Sequence, residues 1–221
     1  MKKINLIFDF DSTLLKLETI EVLAEFALKE NNQKKKILHE INHLTNLAMN
    51  GKILFSEALQ KRISLLDINK DHIQETTLFL QDKLSDSFYN NIKFFKKNIN
   101  HSFVISGGFA DIIIPILENY GFKKNNIFAN TFLFDNYGNA TINKKNNLAK
   151  DGGKQLVAKN ISGYNIIIGD GYTDYELKKL GSAEKFILFT ENVYRKELEK
   201  KADFIANNFN DVFKYIDNER Q

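Results

Sequence analysis

The stretch LIFDFDSTLLKLETI, Leu6 to Ile20, sets two carboxylates, Asp9 and Asp11, at the end of an apolar run. Ile4 to Phe8 reads as a short strand buried on both faces, the pattern of a parallel sheet flanked by helices. One residue separates the acids. A strand alternates its faces with period two, so an extended backbone points both the same way. At an effective dielectric near 20, two such charges about 5 Å apart repel by roughly 3 kcal/mol. A chain that keeps this repulsion where a buried strand ends needs a positive partner there.

Outward from this stretch, similar apolar runs recur at His101 to Ile105, Asn165 to Ile168 and Phe186 to Phe189, with a weaker fifth candidate at Phe204 to Ala206. Helical patterns lie between them at Phe109 to Tyr120, Gly153 to Lys159, Thr173 to Leu180 and Tyr194 to Lys200. Strands alternating with helices predict an α/β fold with a Rossmann-like parallel sheet. From Leu14 to about Ser87 no strand intervenes. There the spacing of Ile20, Leu23, Ala24 and Ala27, and of three later apolar sets, predicts four inserted helices. Phe132 to Ile142 predicts a β-hairpin around Asn136, Tyr137 and Gly138. Pro115, the only proline, kinks its helix or marks a later start.

The bulk composition narrows the partners. A chain of 221 residues can bury a sizeable core, and 43% hydrophobic with 27% charged residues is ordinary for a globular protein. A net charge of +3 is too small for a nucleic-acid surface, and Lys34, Lys35 and Lys36 read as a solvated helical face. With no cysteine there is no disulfide, thiolate zinc site or Cys nucleophile. The opening MKKINLIF starts like a signal peptide, but Asp9 and Asp11 interrupt the apolar run too soon. No apolar stretch approaches membrane-span length, so a cytoplasmic protein is expected, with no membrane or nucleic-acid partner. A monomer or a homodimer is expected.

In a parallel sheet, ligands collect beyond the carboxyl ends of the strands. There this sequence gathers Asp9, Asp11, Ser12 and Thr13, then Ser106, Gly107 and Gly108, then the run from Gly169 to Asp174; Lys154 follows Gly152 and Gly153 at a helix start. Oxygen donors in this number suit a hard cation such as Mg²⁺, which would offset the acid repulsion. A serine followed by two glycines and a helix start offers N–H groups to an anion. A lysine adds a point charge for a phosphate oxygen. Without cysteine, a carboxylate is the natural nucleophile, forming an aspartyl-phosphate.

DFDST, ISGGF, GGK and GDGYTD, in that order, resemble the four-part pattern of the haloacid dehalogenase-like phosphatases. The resemblance covers nearly the whole chain and is nearest to the members that hydrolyse phosphoserine, the last step of serine biosynthesis. It implies that Asp9 is the nucleophile and that Asp11 is the general acid and then base. Mg²⁺ would be held by Asp9, the backbone carbonyl of Asp11, and Asp170, with Asp174 supporting from behind and Thr173 auxiliary. Ser106, Gly107 and Lys154 would hold the phosphoryl oxygens, Lys154 also acting in catalysis. The inserted helices, residues 15–87, would form a cap domain over a core of residues 1–14 and 88–221, with the hairpin a flap at about 131–143. On the cap side, Glu18 matches the family residue that meets the substrate amino group, Arg62 the one that grips the carboxylate, and Met49 and Phe55 the apolar lining. Thr173 stands where many microbial members carry Asn, though animal-type members also have Thr. The regulatory domain of some bacterial members is not expected.

Other readings share some of these residues. A relative acting on another small phosphomonoester, or passing the phosphoryl group to an acceptor such as homoserine, would use the same core. HEINH, His39 to His43, matches the H-E-x-x-H helix of zinc hydrolases, with His39 and His43 flanking Glu40, but it leaves the strand-end motifs unexplained. A signalling receiver domain uses an acid pair and a lysine too, yet not a D-x-D after the first strand, and it needs no helical insertion.

Overall fold

The computed structural model describes residues 4–220. Its centre is a parallel sheet of six strands: β1 (Ile4–Phe8), β2 (Ser102–Phe109), β3 (Ile127–Asn130), β6 (Tyr164–Gly169), β7 (Lys185–Phe189) and β8 (Phe204–Ala206), with β4 (Phe132–Phe134) and β5 (Ala140–Ile142) forming the separate hairpin. The order across the sheet is β3-β2-β1-β6-β7-β8. The chain therefore starts in the middle, builds outward to one edge, then returns to build the other.

Alternating apolar residues fill both faces. Leu6, Phe8, Val104, Ile166, Ile168, Ile187 and Phe189 belong to one core, where Phe8 meets the rings of Phe95 and Phe209. Ile7, Ile105, Ile167, Phe186 and Leu188 belong to the other. Helices α5 (Asp86–Asn90), α6 (Ile92–Asn98), α7 (Ala110–Glu118), α8 (Gly153–Ala158), α9 (Tyr172–Lys179) and α10 (Phe209–Glu219) accompany the sheet.

Between β1 and β2 lie α1 (Thr19–Ala27), α2 (Lys34–Met49), α3 (Phe55–Ser64) and α4 (Lys70–Leu80). Two short antiparallel connectors join these helices to the sheet. Lys16 N–H donates to the Lys83 carbonyl (3.0 Å) and Ser85 N–H to the Leu14 carbonyl (2.8 Å). The hairpin is tied to the same insertion, since Ala140 N–H donates to the Ile68 carbonyl (2.8 Å).

Several expectations change. The sheet has a sixth strand, β3, at one edge. Strand β2 runs on to Phe109 with a shift in register after Ile105, so Ser106, Gly107 and Gly108 lie in its irregular end instead of following it. Helix α7 starts at Ala110 and carries Pro115 inside, so the proline does not mark its start. Tyr194 to Lys200 is not an α-helix: Arg195 is extended, and only a short 3-10 segment, Lys196–Lys201, follows. The buried ion pair of Arg195 described below accompanies that extended conformation. Helices α5, α6 and α10 are additions. Among the described residues no helix is long and apolar enough to cross a membrane.

Candidate active site

The carboxyl ends of β1, β2 and β6 meet near the middle of the sheet, the usual place for a ligand crevice. Asp9 N–H donates to the Ile168 carbonyl (2.9 Å), which sets Asp9 beside the end of β6 and hence beside Asp170. Strand geometry stops at Phe8. A wide turn follows, closed by Leu15 N–H to the Phe10 carbonyl (2.8 Å), with Ser12 left-handed at φ 55°. The expectation that a period-two strand points both acids the same way therefore does not hold. Asp9 turns to Lys154, while Asp11 accepts from Thr19 N–H (2.9 Å) and Thr19 Oγ1 (3.0 Å) at the start of α1. Both line one cavity.

Lys154 reaches this point because Gly152 is left-handed (φ 65°) and Gly153 is packed against the chain: a Cβ there would lie 2.2 Å from the Asn147 carbonyl oxygen. Its ammonium pairs with Asp9 Oδ1 at 2.9 Å and Asp174 Oδ1 at 2.7 Å. Gly107 lets the Phe55 ring approach closely: a Cβ there would lie 2.5 Å from the ring's tip.

One carboxylate oxygen each from Asp9, Asp170 and Asp174 lies within 4.8 Å of the others. These buried, oxygen-only donors fit a hard divalent cation. Without positive charge the cluster is strained electrostatically. Burial pushes Asp9 well above the ordinary carboxylate range, and Asp174 and Asp170 add repulsion that Lys154 opposes. Burial raises Asp170 to about 7 despite the Arg195 guanidinium, whose Nε donates to Asp170 Oδ2 at 2.9 Å. For Lys154, burial alone would lower the pKa, but Asp174 and Asp9 outweigh it and the net direction is up.

The inserted helices close the cavity from the other side. Glu18 precedes α1 and accepts from Ser12 Oγ (2.7 Å). Arg62, only 3% exposed, donates through Nε to the Ala58 carbonyl (3.2 Å) and through Nη1 to Thr45 Oγ1 (3.0 Å). Burial lowers its pKa, while Glu18, Asp11 and Glu21 favour its charge. Met49 and Phe55 supply apolar wall to the same cavity.

The structure thus brings Asp9, Asp11, Glu18, Met49, Phe55, Arg62, Gly107, Lys154 and Asp170 around one cavity. Three expected residues stand outside its lining. Ser106 is fully buried, and its hydroxyl accepts from Gly108 N–H (2.9 Å). Asp174 lies beneath Lys154 and also accepts from Gly171 N–H (3.0 Å). One of its carboxylate oxygens also lies within the three-acid cluster. Thr173 faces a second small pocket on the other side of Lys154, and its Oγ1 has no hydrogen-bond partner among the described residues. His39, Glu40 and His43 are exposed on α2, and the three-acid cluster is the metal-competent group among the described residues, so the zinc reading is withdrawn. Arg195 was missed. It lies beyond the end of β7, where the strand-end rule applies, and its Nη1 also donates to Asn46 of α2 (3.2 Å).

No protein-family profile matches the sequence. Individual proteins do. The chain is 30% identical over 216 residues to the chloroplastic phosphoserine phosphatase of Arabidopsis thaliana, covering 95% of this chain and 70% of that one. A solved phosphoserine phosphohydrolase-like protein from Francisella tularensis superposes with a TM-score of 0.86 at 31% identity, covering 98% and 100% of the two chains. A phosphoserine phosphatase solved as a phospho-aspartyl intermediate analogue gives 0.76 at 26% identity, covering 97% and 98%.

Proposed function

We propose, from the premise that this chain belongs to the phosphoserine phosphatase family of haloacid dehalogenase-like hydrolases and is a phosphatase, that its substrate is O-phospho-L-serine. The observation that carries this reading is one cavity that gathers Asp9, Asp11 and Lys154 together with Glu18 and Arg62. The first group suits a phosphomonoester. The second offers an anion to an ammonium and a guanidinium to a carboxylate, the two groups a phosphoserine adds to its phosphate.

In this reading α1 to α4 act as the cap domain, residues 15–87, over the core of residues 1–14 and 88–221. An Asp9 oxygen attacks phosphorus and the bond to the serine oxygen breaks, with Asp11 giving the departing alkoxide its proton. Asp11, now ionised, takes a proton from the water that hydrolyses the aspartyl-phosphate, which frees Asp9 and phosphate. Lys154 and the Gly107 backbone hold the phosphoryl oxygens as charge develops. Asp9, the Asp11 carbonyl and Asp170 would hold Mg²⁺, whose charge favours ionised Asp9 and neutralises phosphoryl oxygens. Arg195 orients Asp170 from behind, as partners of ligating carboxylates commonly do.

A substrate panel with phosphate detection tests the reading. With Mg²⁺, phosphoserine should release phosphate at least about tenfold faster than phosphothreonine or sugar phosphates, a ratio within reach of one well-placed ionic contact. Chelation with EDTA should silence the reaction. Equal rates across the panel would refute the assignment.

The acid role of Asp11 adds a pH dependence. Burial, with Glu18 adding repulsion, pushes its carboxyl up to about 8. A raised pKa keeps the group protonated through neutral pH and ready to donate, and the proton is lost as pH rises through that value. The basic limb of kcat/KM for phosphoserine should therefore fall at or below about pH 8, since a bound cation moves it only downward. A profile flat to pH 10 would assign the proton to another donor.

A further inference from the structure

We infer that Asp151 is a positioning residue that fixes the spacing between the phosphate end and the carboxylate end of the substrate, an inference resting on the phosphoserine reading above. Asp151 does not line the substrate cavity. It lies across from α3 and holds the first turn of that helix: Oδ1 accepts from Ser56 N–H (2.9 Å) and Oδ2 accepts from Ser56 Oγ (2.7 Å).

Helix α3 needs this partner. Its own N-cap position is Leu54, which has no side-chain acceptor. First-turn N–H groups have no acceptor within a helix, and a carboxylate there satisfies one and complements the positive end of the helix. The cap comes instead from a residue 95 positions away, on the sheet side of the cavity.

The two sides of this clasp carry different residues of the site. On one side, Ser56 is followed along the same helix by Arg62 and preceded by Phe55, whose ring closes on Gly107. On the other, Asp151 precedes Lys154 in a turn that passes through left-handed Gly152 and packs Gly153 on the Asn147 carbonyl. Two hydrogen bonds therefore join the helix that bears the guanidinium to the turn that bears the phosphate-side lysine. Releasing them lets Arg62 and Phe55 drift from Lys154 while every cavity residue keeps its identity.

The test uses Asp151→Ala, Asp151→Asn and Ser56→Ala in the full chain with Mg²⁺. Asp151→Ala should raise the phosphoserine KM about five- to tenfold with kcat within about twofold, the scale of a lost helix cap. Hydrolysis of p-nitrophenyl phosphate, which has nothing for Arg62 to grip, should change less than about twofold. Asp151→Asn keeps an acceptor for the Ser56 N–H and should restore much of the loss. Ser56→Ala should add little in the Asp151→Ala background, because the contact is already gone. Independently of any substrate, hydrogen exchange at the Ser56 amide of the free protein should be several-fold faster in Asp151→Ala. A wild-type phosphoserine KM in Asp151→Ala, or wild-type exchange at Ser56, overturns the inference. A wild-type chain with no preference for phosphoserine overturns the substrate reading instead, and Ser56 exchange then decides the clasp alone.

Discussion

Asp9→Asn should cut phosphate release from phosphoserine by about a thousandfold or more, while the folded protein in EDTA melts no lower than wild type. The first half follows from the proposed role: an amide of the same shape cannot attack phosphorus, and losses on removing a nucleophile reach this scale and beyond. The second half follows from the electrostatics. Burial, then repulsion from Asp174 and Asp170, raises the Asp9 pKa. A carboxyl with a raised folded-state pKa contributes stability below its unfolded pKa and loses it as pH rises through the folded value. Above the unfolded value, holding the charge or taking up a proton to remove it therefore works against the fold. Asn removes that charge, and its side-chain oxygen can still accept from Phe10 N–H, as Asp9 does at 2.7 Å. Lys154 is not left unpaired, because Asp174 remains at 2.7 Å. Phosphate release and thermal melts in EDTA check both halves. A variant that keeps turnover would move the nucleophile elsewhere. One that melts several degrees lower would make the acid cluster a structural network rather than a repulsion kept for chemistry.

The same separation explains what was legible in the sequence. Core strands β1, β6 and β7 show because Ile, Leu and Phe fill both faces of each, leaving nearly unbroken apolar runs. The phosphate-side residues show because each sits in a short contiguous motif at a strand end or helix start. Strand β3 did not show. It is short and closes on Asn130, whose amide donates to the Gly107 (2.9 Å) and Leu148 (3.1 Å) carbonyls, partners that only the fold supplies. The turn after Phe8 leaves no mark in the sequence, because Ser12, not glycine, occupies its left-handed position. Arg195 was hidden for another reason: its partners, Asp170 and Asn46, are far away in sequence, and no local pattern marks an arginine held extended by distant contacts. Asp151 carries no mark in the sequence beside GGK, because its partner, the first turn of α3, is brought to it only by the fold.

The second large effect concerns Arg62. Arg62→Ala should lower kcat/KM for phosphoserine by about 30- to 1000-fold, the roughly 2–4 kcal/mol typical of truncating one partner of a buried charge pair. For O-phosphoethanolamine, which has the ammonium and phosphate but no carboxylate, the same variant should change less than about threefold. Geometry supports the difference. Of the five guanidinium N–H groups, Nε is held by the Ala58 carbonyl and one on Nη1 by Thr45 Oγ1, which fixes the plane and leaves other donors for a ligand. Arg62 lines the cavity with Glu18, whose charge favours the guanidinium's, so the groups that would meet the carboxylate and the ammonium act in one cavity. Arg62→Lys should fall between, because an ammonium cannot keep both anchors and still offer a fork. The paired substrates also control for misfolding. Loss of Arg62 leaves Glu18 and Glu21 without their nearby positive charge, and a protein unfolded by that change would lose both activities together. A loss confined to phosphoserine is one that a carboxylate-gripping arginine predicts, whereas an unchanged ratio between the two substrates would assign carboxylate recognition to another residue.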